Sequence, residues 1–306
     1  MDIRKEYGEL KDDYIDFMNE VQRVIDKLLF RHKIQTAFNI SSRLKQLDSI
    51  EEKINSRKFN VKKSISELND LIGLRIVLLF PEFKEKVVQL LSEEFEVLHV
   101  YRKDNISVDT FGYNSVHIIL RIKESWLKTP DWVEHSGKKI EIQIRTLSEH
   151  IWAETSHALF YKREENIPKV IRRDFYRLSA LLEFVDEQLQ NIKEEVTKHF
   201  DFIKNSPYDE ILRLDLNPET FKRVMSENSN GIYDLTDHDN KILSANIEHD
   251  YDIFNALAFH DIIHGKIDLT KVTQQSFIEE VIKLLEIEKE RSLNQIANRQ
   301  AEMGAA

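Results

Sequence analysis

The chain contains no cysteine in its 306 residues. Disulfides, zinc–thiolate centres and thiol nucleophiles are therefore excluded, and a reducing compartment fits. Glycine and proline are scarce, at 7 and 5. That disfavours an all-β fold full of tight turns and favours long helices. No apolar run reaches the roughly 20 residues that span a bilayer. The opening MDIRKEYGELKDDYIDF lacks the apolar segment of a secretory signal. The expectation is a soluble cytoplasmic protein that makes no use of a membrane. Positive charge is also in deficit, with a formal net charge of -10. No global cationic field awaits a polyanion, so a phosphate site has to be a local basic patch.

Hydrophobic residues make up 41% and charged residues 32%, and the length suits two domains or one large one. Residues 9–38 carry Leu10, Tyr14, Phe17, Val21, Ile25 and Leu28 at helical spacing. FNISSRLK reads as a strand, and LDSIEEKINS as a helix with Asp48 as N-cap and Glu51 at the capping-box position. LRIVLLF, EVLHVYR, SVHIILRI and KKIEIQIRT read as strands. FKEKVVQLLSEEF, residues 147–163 and the stretch after Pro168 read as helices. The fold class is α+β: a mixed five-stranded sheet flanked by helices, then a mostly helical C-terminal appendage. The expected boundary divides 1–203 from 204–306, with Asn217-Pro218 opening a helix in the second part.

Four stretches are candidates for chemistry. Asp70 precedes a buried strand and Glu141 lies on an alternating one; carboxylates so placed are costly unless paired or bound to a cation. Together they make a hard oxygen site suited to Mg²⁺, against the plainer reading of two exposed strand-end acids. Residues 40–63 reverse the overall sign with Arg43, Lys45, Lys53, Arg57, Lys58, Lys62 and Lys63. Arg43 and Lys45 point to one side of a strand that leads into a helix N-terminus, a plausible triphosphate cradle. A solvated, ion-paired helix face is the alternative. In FGYNSVHIIL, Tyr113 follows Gly112 on a turn, and Ser115 and His117 share a strand face, which suits base stacking; a packed sheet-edge tyrosine explains the same letters. Finally, EIQIRT sets Glu141, Gln143 and Arg145 on one face. The helix after it sets His150, Glu154, His157 and Tyr161 on one stripe. The spacing is not HExxH, so the stripe reads as the wall of a pocket above the strand.

In combination these stretches resemble the synthetase domain of the RelA/SpoT family, which makes the alarmones ppGpp and pppGpp. SRLKQLDSIEEK is similar to its Arg-x-Lys…Ser-Ile-x-x-Lys segment, DLIGLRI to Asp-x-x-Gly-x-Arg, and GYNSVH to Gly-Tyr-x-Ser-x-His. EIQIRT followed by HIWAE…H…YK is similar to its most specific signature. The pieces come in the family's order and cover roughly residues 20–195. The resemblance implies a nucleotidyltransferase-like fold. It also implies transfer of the β,γ-pyrophosphate of ATP to the ribose 3′-OH of GDP or GTP, with release of AMP. Asp70 and Glu141 would be catalytic and hold Mg²⁺. Arg43 and Arg75 would flank the adenine, and Lys45, Ser49 and Lys53 the phosphates. Tyr113 would stack on guanine near His117, Gln143 and His150, with Lys103 a phosphate contact. Ser42 and Ser56 stand where relatives often have glycine and a basic residue, and SVDTF replaces a proline-rich approach to Gly-Tyr. These departures bear on nucleotide contacts rather than on reaction class.

Two alternatives remain at this level. A toxin-type relative would pyrophosphorylate tRNA 3′ ends or an adenine nucleotide; a catalytically inactive nucleotide sensor would have no need of both carboxylates. No hydrolase segment is expected before the synthetase. The appendage reads as a regulatory or oligomerisation region, and its last helix suits intramolecular packing and self-association equally. Three His-Asp dipeptides, at 238, 249 and 260, recur every 11 residues. Asp237 to Asn240 reads as a turn, which argues against one continuous helix; coincidence or helix-surface residues is the expected reading, with a metal or hydrolase site the alternative.

Overall fold

A computed structural model describes residues 2–56, 64–102, 115–160, 168–270 and 272–304. The period-two segments build one sheet. β1 (Ser41–Leu44), β2 (Ile72–Leu78), β3 (Glu96–Tyr101), β4 (Val116–Arg121) and β5 (Lys139–Thr146) lie in the order β1-β2-β5-β4-β3. β2 and β5 run parallel, and the other neighbouring pairs are antiparallel. This is the mixed five-stranded sheet that the sequence implies.

Side chains alternate between the two faces of a strand. Ile72, Leu74, Ile76 and Leu78 of β2 and Ile140, Ile142 and Ile144 of β5 are buried on one face. They pack with Phe17, Val21 and Ile25 of α1 (Ile3–Arg31) and with Val87 and Leu91 of α3 (Phe83–Glu94). Each such side chain contributes about 1.5–3 kcal/mol by leaving water. A one-residue slip would turn the whole set outward. The apolar face therefore fixes the register that sets Gly73 beside Glu141, Arg75 beside Gln143 and Val77 beside Arg145.

Helix ends depart from the sequence expectations for local reasons. α1 starts before residue 9, because Asp2 caps it and accepts from the N–H groups of Arg4 and Lys5. It ends at Arg31, just before Lys33 takes a positive φ of 53°. α2 (Leu47–Asn55) is not capped by Asp48. Lys45 N–H donates to Leu71 O at 2.8 Å, which pins the chain to the sheet edge. Gln46 then becomes the N-cap, and Asp48 lies in the first turn, where its charge favours the helix dipole.

The chain divides into two compact units, Met1–Ile192 and Lys193–Ala306, with the division inside α5 (Lys169–Asn205). α4 (Leu147–Phe160) follows β5 directly in the first unit. The second unit contains α6 (Tyr208–Ile211), α7 (Pro218–Glu227), α8 (Asp237–Tyr251), α9 (Ala256–Ile263) and α10 (Gln274–Gly304). Asn217 caps α7 with Pro218 at its start, as the sequence suggests. Phe221, Val224, Phe259, Phe277, Val281 and Leu285 form its core, so the first half of α10 packs intramolecularly. Asp237–Asn240 is the first turn of α8 rather than a turn between elements, because Thr236 caps it through Asp239 N–H. His238 and His249 therefore share α8, and His260 lies on α9. Among the described residues no helix is long and apolar enough to cross a membrane.

Candidate active site

The second face of the sheet is polar. By register, Arg43 of β1 lies opposite Gly73 of β2; Gly73 and Arg75 lie beside Glu141 and Gln143 of β5; and His117 of β4 lies opposite Gln143. A hydrogen-bonded chain runs across this face. Arg145 Nη2 donates to Gln143 Oε1 at 2.8 Å, and Gln143 Nε2 donates to Glu141 Oε2 at 3.0 Å. His117 Nδ1 lies 2.9 Å from Glu141 Oε1, and His117 Nε2 lies 2.9 Å from Ser115 Oγ. Burial pushes the Glu141 carboxyl up, but the hydrogen bond and charge of His117 and the Gln143 amide outweigh it, and the net shift is downward. The Asp70 charge opposes that shift, so the two carboxylates act on each other electrostatically.

Asp70 lies in the turn that enters β2, between two ammonium groups. Lys45 Nζ donates to Oδ2 at 2.8 Å, and Lys53 Nζ reaches Oδ1 at 2.9 Å and Oδ2 at 2.8 Å. Burial raises its pKa, and the hydrogen bonds and charges of Lys45 and Lys53 bring it below the ordinary carboxylate value. Lys45 follows β1, whereas Lys53 comes from α2 with Ser49 one turn before it on the same exposed side. Two of the basic residues of the 40–63 stretch, Lys45 and Lys53, thus converge on one acid; Arg57, Lys58, Lys62 and Lys63 lie outside the described residues.

α4 stands over the end of this face. Arg75 Nη1 pairs with Glu154 Oε1 at 2.9 Å, with Arg145 Nη1 at 3.7 Å and His150 Nδ1 at 3.9 Å from the same oxygen. Burial, then the Arg75 charge, depresses the pKa of both Arg145 and His150. Arg75 Nε, Arg145 Nε and His150 Nδ1 are buried with no hydrogen-bond partner among the described residues. Such groups are costly unless a polar ligand satisfies them. The stripe expected on this helix therefore does turn two of its members, His150 and Glu154, toward the strand face.

Sequence reasoning missed the anchor that holds α4 there. Thr146 Oγ1 accepts from Glu149 N–H at 3.1 Å, and Glu149 Oε2 accepts from Thr146 N–H at 2.9 Å. The signal was a Thr-x-x-Glu capping box at the strand–helix junction. Thr146 Oγ1 also donates to Asp186 Oδ2 of α5 at 2.6 Å, a link across 40 residues that no local pattern announces. Lys84 Nζ donates to Glu149 Oε1 at 2.5 Å. Burial raises the Glu149 pKa and Lys84 opposes the rise. The side chains are 15% and 6% exposed, so solvent screens this pair little. Glu149→Ala is expected to cost about 3–5 kcal/mol, the usual consequence of stranding one buried charge. Urea unfolding followed by tryptophan fluorescence measures it, because Trp126, Trp132 and Trp152 all lie in the first unit.

The donor chemistry suits a hard divalent cation. Asp70 and Glu141 both favour the ionised form, and carboxylate oxygens are what Mg²⁺ prefers. Gly73 keeps space beside one of them: a Cβ there would stand 3.9 Å from Glu141 Oε2. Among the described residues no group of three or more His, Cys, Asp or Glu could hold a metal. A cation here would rest on these two carboxylates plus water and ligand oxygens, the usual habit of Mg²⁺. Of the sequence-derived candidates, Asp70, Lys45 and Lys53 form one cluster, and Glu141, Gln143 and His117 form a second. Arg75 and His150 converge on Glu154. Arg43 and Ser49 are exposed beside these groups, and Lys103 and Tyr113 lie outside the described residues.

Residues 42–166 match the family model described as the region found in RelA / SpoT proteins. The GTP pyrophosphokinase YjbM of Bacillus subtilis (strain 168) is 30% identical over 158 residues, 51% of this chain and 72% of its own. The GTP pyrophosphokinase YwaC of the same organism is 28% identical over 158 residues, 51% of this chain and 73% of its own. The crystal structure of the small alarmone synthetase 1 from Bacillus subtilis bound to its product pppGpp aligns with a TM-score of 0.51 at 27% identity. That alignment covers 63% of this chain and 99% of the other. Residues 193–306 lie beyond the family match.

Proposed function

The chain belongs to the RelA/SpoT family, and from that premise we propose that it is a (p)ppGpp synthetase, moving the β,γ-pyrophosphate of ATP to the ribose 3′-OH of GDP or GTP. In this reaction O3′ attacks Pβ, the O3′–Pβ bond forms, and the bridge between Pα and Pβ breaks. AMP leaves with the bridging oxygen. Catalysis of such a transfer is mostly positioning and charge neutralisation. The observation that carries the reading is the polar sheet face. Glu141 lies on it, held by a histidine and an amide, and feels the charge of Asp70, which two lysines grip in the turn that enters β2.

Each side chain has a task in this account. Lys45 and Lys53 face the polyphosphate from either side of Asp70, with Ser49 and the start of α2 next to them. Arg43 and Arg75 flank the adenine. Glu154 fixes the plane of the Arg75 guanidinium through their 2.9 Å pair. Gln143, His117 and His150 line the acceptor side; the acceptor contacts of Tyr113 and Lys103, outside the described residues, rest on the family resemblance alone. Glu141 holds the 3′-OH and receives its proton. Asp70 and Glu141 would hold Mg²⁺, which when bound neutralises charge on the transferring phosphates. The unpaired polar atoms of Arg75, Arg145 and His150 support a nucleotide as the ligand, since it supplies the missing acceptors and donors.

The acceptor is tested by labelling. Purified protein, Mg²⁺ and γ-labelled ATP are incubated separately with GDP, GTP, ATP and tRNA. Label is expected in GDP or GTP. Label in tRNA alone would make this a tRNA-modifying relative, and no label in any acceptor would make it a nucleotide sensor.

A further inference from the structure

The three His-Asp dipeptides of the second unit do not form a site together. His260 instead meets His264, one helical turn on. Their rings lie against each other at a tilt, with centroids 4.3 Å apart and 34° between planes. Both Nδ1 atoms turn toward one polar node. His264 Nδ1 lies 2.9 Å from Asn228 Oδ1, and His260 Nδ1 lies 2.9 Å from Tyr208 Oη. Asn228 Nδ2 donates to Tyr208 Oη at 3.0 Å and to Val224 O at 2.8 Å, and lies 3.4 Å from His260 Nδ1. Three helices meet there: Tyr208 comes from α6, Asn228 caps the end of α7, and the histidines end α9.

An imidazole that donates Nδ1–H to an oxygen offers its Nε2 lone pair to a metal, and the oxygen fixes ring and tautomer. With both Nδ1 atoms turned to one node and the ring centroids 4.3 Å apart, the two Nε2 atoms, on the opposite sides of their rings, face away from it. No hydrogen bond or ion pair engages either Nε2 among the described residues. His264 is exposed and His260 half-buried, so the pair is open to solvent on that side.

We propose that His260 and His264 form a two-imidazole site for a borderline divalent transition-metal ion such as Zn²⁺, Ni²⁺ or Cu²⁺. Imidazole nitrogen suits these ions, whereas Mg²⁺ prefers oxygen, so the site does not compete for the cation of the first unit. Water completes the coordination shell. Tyr208 and Asn228 are positioning residues, and the metal selects the tautomer in which His260 Nδ1–H donates to Tyr208 Oη. Binding ties the end of α9 to the α6–α7 node and stabilises the second unit in proportion to metal saturation. The inference does not depend on the synthetase reading.

The test is a Zn²⁺ titration of the full chain by calorimetry. The wild type is expected to bind one equivalent that both His260→Ala and His264→Ala lose. Tyr208→Phe is expected to weaken it about tenfold to a hundredfold, the usual effect of removing an outer hydrogen-bond partner of a ligand. His249→Ala, on α8, leaves it unchanged. Circular dichroism checks each fold; should His260→Ala not fold, the exposed His264 carries the test alone. A wild type that takes up no zinc, or a His264→Ala isotherm identical to it, overturns the site. A Tyr208→Phe isotherm identical to wild type overturns the positioning role.

Discussion

Glu141→Gln lowers kcat by on the order of 10³ while leaving the fold intact, within the range for removing a general base. The substitution keeps size and shape. An amide still accepts from His117 Nδ1–H and still packs beside Gly73, so the strand register has no reason to change. What is lost is the negative charge and the acceptor for Gln143 Nε2–H, and with them, on the proposed reading, a proton acceptor for the 3′-OH and one of the two carboxylates that would hold magnesium. The change is expected in kcat more than in the KM for ATP, because the proposed place of Glu141 is where bonds change rather than where adenine binds. Steady-state kinetics with circular dichroism as control measure it. A Glu141→Gln enzyme with wild-type kcat contradicts the assignment.

Asp70→Asn is the second large effect, and it has a different signature. Asp70 is the shared counterion of Lys45 and Lys53, each at 2.8 Å from Oδ2. Its neutralisation leaves two ammonium groups converging without an acid between them. On the proposed reading it also removes the other carboxylate that would hold magnesium. Activity is expected to fall by at least about 10³. The Mg²⁺ concentration for half-maximal rate should rise, which Lys53→Met should not cause. The carboxyl lies below the ordinary carboxylate range in the folded chain. Its stabilising contribution is therefore complete above the ordinary range, and is lost as pH falls through the lowered value. Asp70→Asn should accordingly flatten that part of the acid-unfolding profile.

The parts of the fold that rest on short-range periodicity were legible in the sequence. KKIEIQIRT alternates because Ile140, Ile142 and Ile144 face the core and Glu141, Gln143 and Arg145 do not. The same alternation announced most of the polar face. Boundaries were less legible where tertiary contacts decide them. Asp48 has the chemistry of an N-cap, but the Lys45–Leu71 backbone bond moves the helix start ahead of it. Asp237 to Asn240 has the composition of a turn, and Thr236 makes it a helix. Partners distant in sequence were not legible at all. Nothing local links Asp186 to Thr146, or Arg75 to Glu154, and His260 was read with Asp261 although its ring lies against His264.

The proposed reaction is tested most directly by the fate of the donor. With ATP and GDP or GTP as the only nucleotides, the products are separated by ion-exchange chromatography and counted. AMP is predicted to appear in equal amount with the 3′-pyrophosphorylated guanosine nucleotide. ADP in place of AMP, or product without AMP, would mean that a single phosphoryl group moves, and would contradict the account.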